Sequence, residues 1–421
     1  MSQGGVGARV ATRVFSGVLF LRRESNRRKL WLKVHLYLGM SVGMMLVLIG
    51  LTGSILVFHH EIDEWLNPRL LRIDPPAGGP SAYRPVDEIV AAAIRVMPEG
   101  SRLTYGEYPR NDAVAYQWHF SVPGVPDPKT RIDFSLHHVF VDPYTANVTG
   151  SRLVRPAGLG GAFPRTFIGF VFALHYALLL PRGGDPAFGD TVVSILAMML
   201  MVSLLTGVYL WWPRGKGWAN ALTIKRHSHI RRLTFDLHRV TGVCFGAVLL
   251  AMLVSGVYLN LSGPFNTLIG IFSPVTNRYA VQSQVDPKAG SISLGDVMHI
   301  VHERYPQGRM DWLYLPRTPT GTYTICNRDI EGISLVLTRR CVVVDQYSGD
   351  IRYVQTPESG TDGEYFIQWQ WPVHSGQVFG MPGRLLVLTA GLICPVLFGT
   401  GGYLWWRKRM NGSRSDASLP S

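Results

Sequence analysis

Charge is what this chain of 421 residues is short of: 16% of it is charged and 47% hydrophobic, against the roughly one quarter charged that is usual in soluble domains. Acids are the scarcer sign, 28 Asp and Glu against 41 Lys and Arg. Cysteine is nearly absent, four in all, which excludes a disulfide-dense secreted scaffold. No Cys-x-x-Cys-His occurs, so covalent c-type haem attachment is excluded. There is no P-loop and no Gly-x-Gly-x-x-Gly after a strand, so ATP and dinucleotide binding find no support. His-Glu-x-x-His is also missing, which removes the commonest zinc-protease signature.

What is present is apolar length. Four windows, Val34–Phe58, Thr191–Trp212, Val240–Leu261 and Leu385–Trp406, each reach the ~20 residues that a bilayer core requires. Basic residues crowd beside them: Arg22, Arg23, Arg27, Arg28 and Lys29 before the first, Arg214, Lys216, Lys225, Arg226, Arg231 and Arg232 between the second and third, and Arg407, Lys408 and Arg409 after the fourth. Short basic segments stay in the cytoplasm, so both termini and the middle loop are expected inside. The net charge of +13 then reads as a topology signal and an attraction to lipid headgroups, not as a nucleic-acid surface. The apolar patch 10–21 is broken by Arg13 and followed by a basic cluster, so it is not read as a cleavable signal peptide.

The chain is also written twice. From His35 glycines fall at Gly39 and Gly53, and from His238 at Gly242 and Gly256, with the same offsets. The second and fourth windows end in TGVYLWWPR and TGGYLWWRKR, and upstream of each lies another histidine, His175 and His374. Both halves run in the same direction, which predicts a parallel repeat. The layout that follows is a basic cytoplasmic N-terminus (1–33), a first transmembrane helix (34–58), an outer α+β domain (59–165) and an interfacial helix with His175 (166–190). A second span (191–213), a basic cytoplasmic loop (214–234) and a third span (235–262) come next. A second outer α+β domain (263–364), an interfacial segment with His374 (365–384), a fourth span (385–406) and a cytoplasmic tail (407–421) complete it. Cys326 and Cys341 fall on expected strands of the second outer domain, where an oxidising compartment permits a disulfide; their pairing stays open.

Ionisable residues at membrane depth point to function, and here they come in two layers. His35 and His238 open the first and third spans; His175 and His374 precede the second and fourth. Two imidazoles facing one another across a bundle suit a b-type haem, whose iron takes one nitrogen from each side. Two haem b groups, one held by His35 and His238 and one by His175 and His374, would carry electrons across the membrane. Gly39 and Gly242, one turn past the first pair, would leave room for a flat ring, although such glycines equally serve plain helix packing. His59, His60 and Arg239 are weaker candidates: the two histidines as outer-face groups that solvent explains as well, the arginine as a partner for a propionate. His137 and His138 are adjacent on an expected strand and so point to opposite faces.

The openings KVHLYLG and DLHRVTG, the ALH at 173–175, VHSGQVFGMPGR, the LWW-basic endings and the VFVDPYT turn resemble the PepSY-associated transmembrane proteins. The resemblance covers nearly the whole chain after the first 28 or so residues. It implies a membrane bundle of four transmembrane helices with two extracytoplasmic PepSY-like α+β domains, in the bacterial inner membrane. It implies bis-histidine haem at His35, His175, His238 and His374, and reduction of a ferric siderophore so that iron is released as Fe(II). The donor would be a quinol or a cytoplasmic flavoprotein. The alternative carried forward is a haem-free PepSY scaffold that binds a peptide, a protease or an uptake partner.

Overall fold

The computed structural model describes residues 6–124, 134–158, 163–180, 187–213, 217–286, 288–331 and 339–416. Arg214 and Lys216 of the basic loop lie outside the described residues. The chain divides into two units. Unit one holds Met1–Leu51, Ile195–Val254 and Leu388–Ser421; unit two holds Thr52–Ser194 and Ser255–Val387.

Unit one is helical. It contains most of α1 (Val6–Leu56) and α6 (Phe188–Trp211), the short α7 (Trp218–Ala221) and α8 (Ile230–Cys244), the start of α9 (Gly246–Asn260) and most of α14 (Gly380–Asp416). Three helical stretches, Asn26–Leu56, Phe188–Trp211 and Gln377–Met410, are long and apolar enough to cross a membrane. The third expected span is broken: α8 and α9 meet at 56° around Phe245, so among the described residues the count is three, or four if the bent pair is one span. Small residues let the helices touch. A Cβ at Gly43 would stand 2.7 Å from the Phe398 ring, and one at Gly50 2.8 Å from Cys394 Sγ, the close approach by which helices pack where lipid supplies no hydrophobic drive.

Unit two carries the sheet. Its helices are α2 (His59–Leu66), α3 (Pro68–Leu71), α4 (Val86–Arg95), α5 (Phe167–Ala177), α10 (Ser262–Gly270), α11 (Leu294–Arg304), α12 (Asp362–Gln368) and α13 (Gln370–Ser375). Its strands are β1 (Arg102–Glu107), β2 (Tyr116–Pro123), β3 (Phe134–Val141), β4 (Val148–Arg155), β5 (Arg309–Tyr314), β6 (Thr322–Arg328), β7 (Arg340–Asp345) and β8 (Ile351–Gln355). The order is β4-β3-β2-β1-β5-β6-β7-β8, antiparallel throughout. The two α+β segments expected from sequence therefore share a single sheet. β1 and β5 pair at Tyr105↔Tyr314, Gly106↔Leu313 and Glu107↔Trp312, which removes two edges that would otherwise offer unpaired backbone groups.

Local chemistry explains the elements. α4 buries Val86, Ile89, Ala92 and Ala93 along one stripe, at the spacing of a half-buried helix. α11 opens with a capping box between Ser293 and Asp296 and buries Leu294, Val297 and Val301. Both helices cover one sheet face, packed on Trp118, Phe120, Val139, Leu313, Ile325 and Val342. Burial of each such large side chain contributes about 1.5–3 kcal/mol. Gly106 leaves the space that the Trp118 ring occupies. Cys326 and Cys341 stand directly opposite on β6 and β7 and form a disulfide.

Candidate functional site

In unit one, His35 of α1 and His238 of α8 face each other with ring centres 6.1 Å apart and planes at 77°. A neighbouring helix holds each ring from behind. His35 Nδ1 lies 2.8 Å from the Ser203 carbonyl and 3.4 Å from Thr206 Oγ1, both on α6. His238 Nδ1 lies 3.1 Å from the Leu397 carbonyl and 3.0 Å from Thr400 Oγ1, both on α14. A carbonyl can only accept, so Nδ1 donates in both rings. The threonines agree. Thr206 donates its own proton to the Ser203 carbonyl at 2.7 Å and Thr400 to the Val396 carbonyl at 2.6 Å, which leaves both oxygens as acceptors. With the proton on Nδ1, the lone pair is on Nε2, on the other side of the ring, and that is the form in which imidazole ligates metals.

Unit two repeats the arrangement. His175 of α5 and His374 of α13 have ring centres 5.9 Å apart and planes at 64°. His175 Nδ1 is 3.1 Å from Thr52 Oγ1, and His374 Nδ1 is 2.9 Å from Ser255 Oγ. α5 is short but well set: Thr166 caps it by accepting from the Gly169 amide, and Leu178 ends it in the left-handed region. α13 ends at Gly376, φ 75°, where a residue with a side chain would be strained.

A glycine follows each hydroxyl residue, and an imidazole presses on each glycine. A Cβ at Gly207 would stand 2.9 Å from His35 Cε1, and one at Gly53 3.0 Å from His175 Cε1. At Gly401 and Gly256 the distance to His238 and His374 Cε1 is 3.3 Å. Thr206-Gly207, Thr400-Gly401, Thr52-Gly53 and Ser255-Gly256 are thus four seats of one design, each with a hydroxyl to orient the ring and a bare backbone to receive it. Sequence reasoning named all four histidines, Gly53 and Gly256, and the TG that opens each LWW motif, yet assigned the hydroxyls no role. The signal was a Ser/Thr-Gly dipeptide in every apolar window; the histidine that uses it always comes from another helix. Gly39 and Gly242 have room beside them: a Cβ would meet nothing within 4 Å at Gly39 and only Leu397, at 3.6 Å, at Gly242.

Among the described residues no group of three or more His, Cys, Asp and Glu could hold a metal ion. A two-histidine site can therefore serve only a metal that brings its remaining ligands with it, as a haem iron does. The spacing suits that. Two metal–imidazole bonds of about 2 Å each, with roughly 1 Å from nitrogen to ring centre at both ends, give a separation near 6 Å.

The weaker candidates divide. Arg239 does not lie loose at the interface: it donates to the Asn220 and Thr223 carbonyls and to Asp236. Asp236 is fully buried and also bonded to Arg232 and the Lys225 amide. The pair latches the segment 220–225 onto α8, because a buried carboxylate requires such partners. His59 and His60, which solvent alone could have explained, are instead half-buried in the wall of a cavity in unit two. Burial holds both rings below the usual imidazole pKa, His60 well below it.

That cavity encloses about 1880 Å³. The helices bearing His175 and His374 contribute Phe172, Tyr176, Trp371 and Pro372 to its wall, and all eight strands of the sheet contribute residues. His119 bonds Glu107 at 2.9 Å and stacks on Tyr105. His137 and His138 point to opposite faces of β3, as expected, through an unbroken pairing with β2: His138 meets the rings of His119 and Phe140, and His137 bonds Ser135. A Gly-x-Ser-x-Gly at 39–43 lies inside α1, where Ser41 bonds back to the Tyr37 carbonyl, without the strand-to-helix turn that a hydrolase nucleophile needs.

Apolar helices of spanning length, joined to an antiparallel sheet and carrying paired histidines, define a membrane protein of mixed α/β build. The chain belongs to the family described as the PepSY-associated TM region, whose model matches residues 32–408. No curated protein matches it.

Proposed function

We propose that this protein is a di-haem b-type oxidoreductase of the bacterial inner membrane, with both termini cytoplasmic. It would pass electrons outward to a ferric siderophore, which loses its hold on the iron when Fe(III) becomes Fe(II). The observation that carries the reading is the fourfold seat: four histidines, paired at 6.1 and 5.9 Å, each with Nδ1 bonded to a Ser or Thr that precedes the glycine under its ring.

When bound, each haem supplies a one-electron iron couple. The chain does the rest. Ser203, Thr206, Leu397 and Thr400 keep the proton of His35 and His238 on Nδ1 and aim Nε2 between the rings. Thr52 and Ser255 orient His175 and His374. An Nδ1–H donated to an oxygen raises the basicity of the ligating nitrogen and lowers the potential of the iron it holds. The cavity of unit two, walled in part by α5 and α13, would receive the ferric chelate, so transfer is outer-sphere and needs no general acid or nucleophile. One electron enters from a quinol or a reduced cytoplasmic flavoprotein, and one reduces Fe(III) to Fe(II). The basic segments beside the spans support the orientation.

The decisive measurement is the visible spectrum of the protein purified after expression with ample haem. A Soret band that shifts on dithionite reduction is expected. Colourless protein overturns the cytochrome reading and leaves the haem-free scaffold, whose sheet and cavity would then serve a peptide or protein partner.

A further inference from the structure

The cavity of unit two has a character that the sequence does not announce. Among the described residues, nine arginines and no lysine line it, against five carboxylates. Most of those carboxylates are already engaged: Glu64 with Arg110, Asp63 with Arg152, Asp311 with Arg339 and Arg328. Arg278 is held differently. Its guanidinium donates to Gln355 Oε1 at 2.7 Å and to the Tyr279 hydroxyl at 2.7 Å, both neutral, so its charge is oriented without being cancelled. It also lies over the Tyr279 and Tyr314 rings, 4.8 and 5.9 Å from their centres.

Those rings belong to a wall built at the seam where β1 pairs with β5. Trp312 and Tyr314 stack with centres 6.1 Å apart and planes 18° apart, and Tyr105 lies 5.5 and 5.7 Å from them. All of these side chains line the cavity. Alternation along a strand puts Trp312 and Tyr314 on one face, and the seam places Tyr105 opposite Tyr314. Aromatic faces receive flat rings by offset stacking; arginine forks receive oxyanions and stack on aromatic planes.

We propose that this wall is a recognition site for an anionic, aryl-bearing metal chelate, with a ligand ring against Trp312, Tyr314 and Tyr105 and an oxyanion at Arg278. The inference rests on the ferric-chelate reading above and names the class of chelate. An excess of arginine charge favours a complex of net negative charge, such as a tris-catecholate of a trivalent metal at −3. It disfavours a tris-hydroxamate complex, which is neutral or positive. A cavity of about 1880 Å³ is larger than a typical small-ligand pocket of roughly 300–1,000 Å³ and accommodates a chelate of that bulk.

The test uses gallium(III) complexes, which bind as the ferric ones do but are not reduced. The full chain in detergent is titrated by calorimetry with a gallium tris-catecholate and with a gallium tris-hydroxamate. The catecholate complex is expected to bind at least about tenfold more tightly. Arg278→Gln is expected to lose about tenfold for it and little for the hydroxamate, Arg278→Lys to recover part of the loss, and Trp312→Ala to weaken it further. Equal or tighter hydroxamate binding, or an Arg278→Gln protein that binds like the parent while its far-ultraviolet spectrum is unchanged, overturns the proposal. Since gallium takes no electron, a coloured protein that fails here leaves the cytochrome reading intact. Colourless protein that binds the catecholate refutes only the cytochrome.

Discussion

The two histidine pairs are built alike and surrounded differently. His35 with His238 and His175 with His374 have nearly the same ring separation, the same hydroxyl on Nδ1 and the same glycine under the ring. Around His238 the neighbouring polar groups are closed up: Asp236 is fully buried and sealed by Arg232, Arg239 and the Lys225 amide. Around His175 and His374 the same helices open onto a large, arginine-rich cavity. A ligand geometry can thus be copied within one chain while its access to other molecules is set independently by what packs beside it. On the function proposed above, one pair would relay electrons and the other would exchange them with a bound partner.

The comparison breaks first at the ligands. His238→Ala and His374→Ala are each expected to lose about half of the bound haem, measured as haem per protein by pyridine haemochrome. A loss of neither would reject the pairing. Reduction of the Cys326–Cys341 disulfide separates the units instead. Closing a loop of this size contributes about 3 kcal/mol for a separation of 15 residues. The Cys326→Ser/Cys341→Ser double variant should lower the unfolding midpoint of the sheet, followed by circular dichroism, with the Soret band at room temperature unchanged.

The seats give a finer contrast. Alanine normally stabilises a helix by up to about 1 kcal/mol over glycine, but Gly207→Ala drives a methyl towards His35 and Gly53→Ala towards His175. Each should disturb the spectrum of its own haem and not the other. Thr206→Val removes an acceptor from His35 Nδ1 and should raise the midpoint potential of that haem, with Thr206→Ser restoring it; Thr52→Val should do the same for the second haem. Spectroelectrochemistry reads both.

The smallest effect concerns the cavity wall. His60 is kept neutral by burial, with His59, Arg110, Arg328 and Arg384 opposing its protonation. Below the ordinary value of 6.5 the unfolded chain takes up a proton that the fold does not. Stability is therefore complete above about pH 6.5 and declines as the pH falls, by at most about 1.4 kcal/mol per pH unit for the one ring. Thermal unfolding between pH 7.5 and 5 should show this slope, and His60→Gln should flatten it.

The apolar windows, the basic flanks, the repeat and all four paired histidines were legible in the residues, since composition and spacing act locally and survive without coordinates. The 56° break at Phe245 was not, because the window is apolar throughout and nothing in its hydropathy marks a bend. Two α+β segments were visible, but their fusion through β1 and β5 was not; strand edges meet by long-range pairing that no local pattern encodes.

By itself the sequence determined that this is a membrane protein with histidines in matched places, because a bilayer imposes length and charge rules on any chain that enters it. Tertiary structure alone decided which Ser or Thr holds each Nδ1 and which rings share a wall with Arg278. The hydrogen bonds to Nδ1 join residues as far as 171 positions apart, and only the packed chain brings such distant groups within reach of one another.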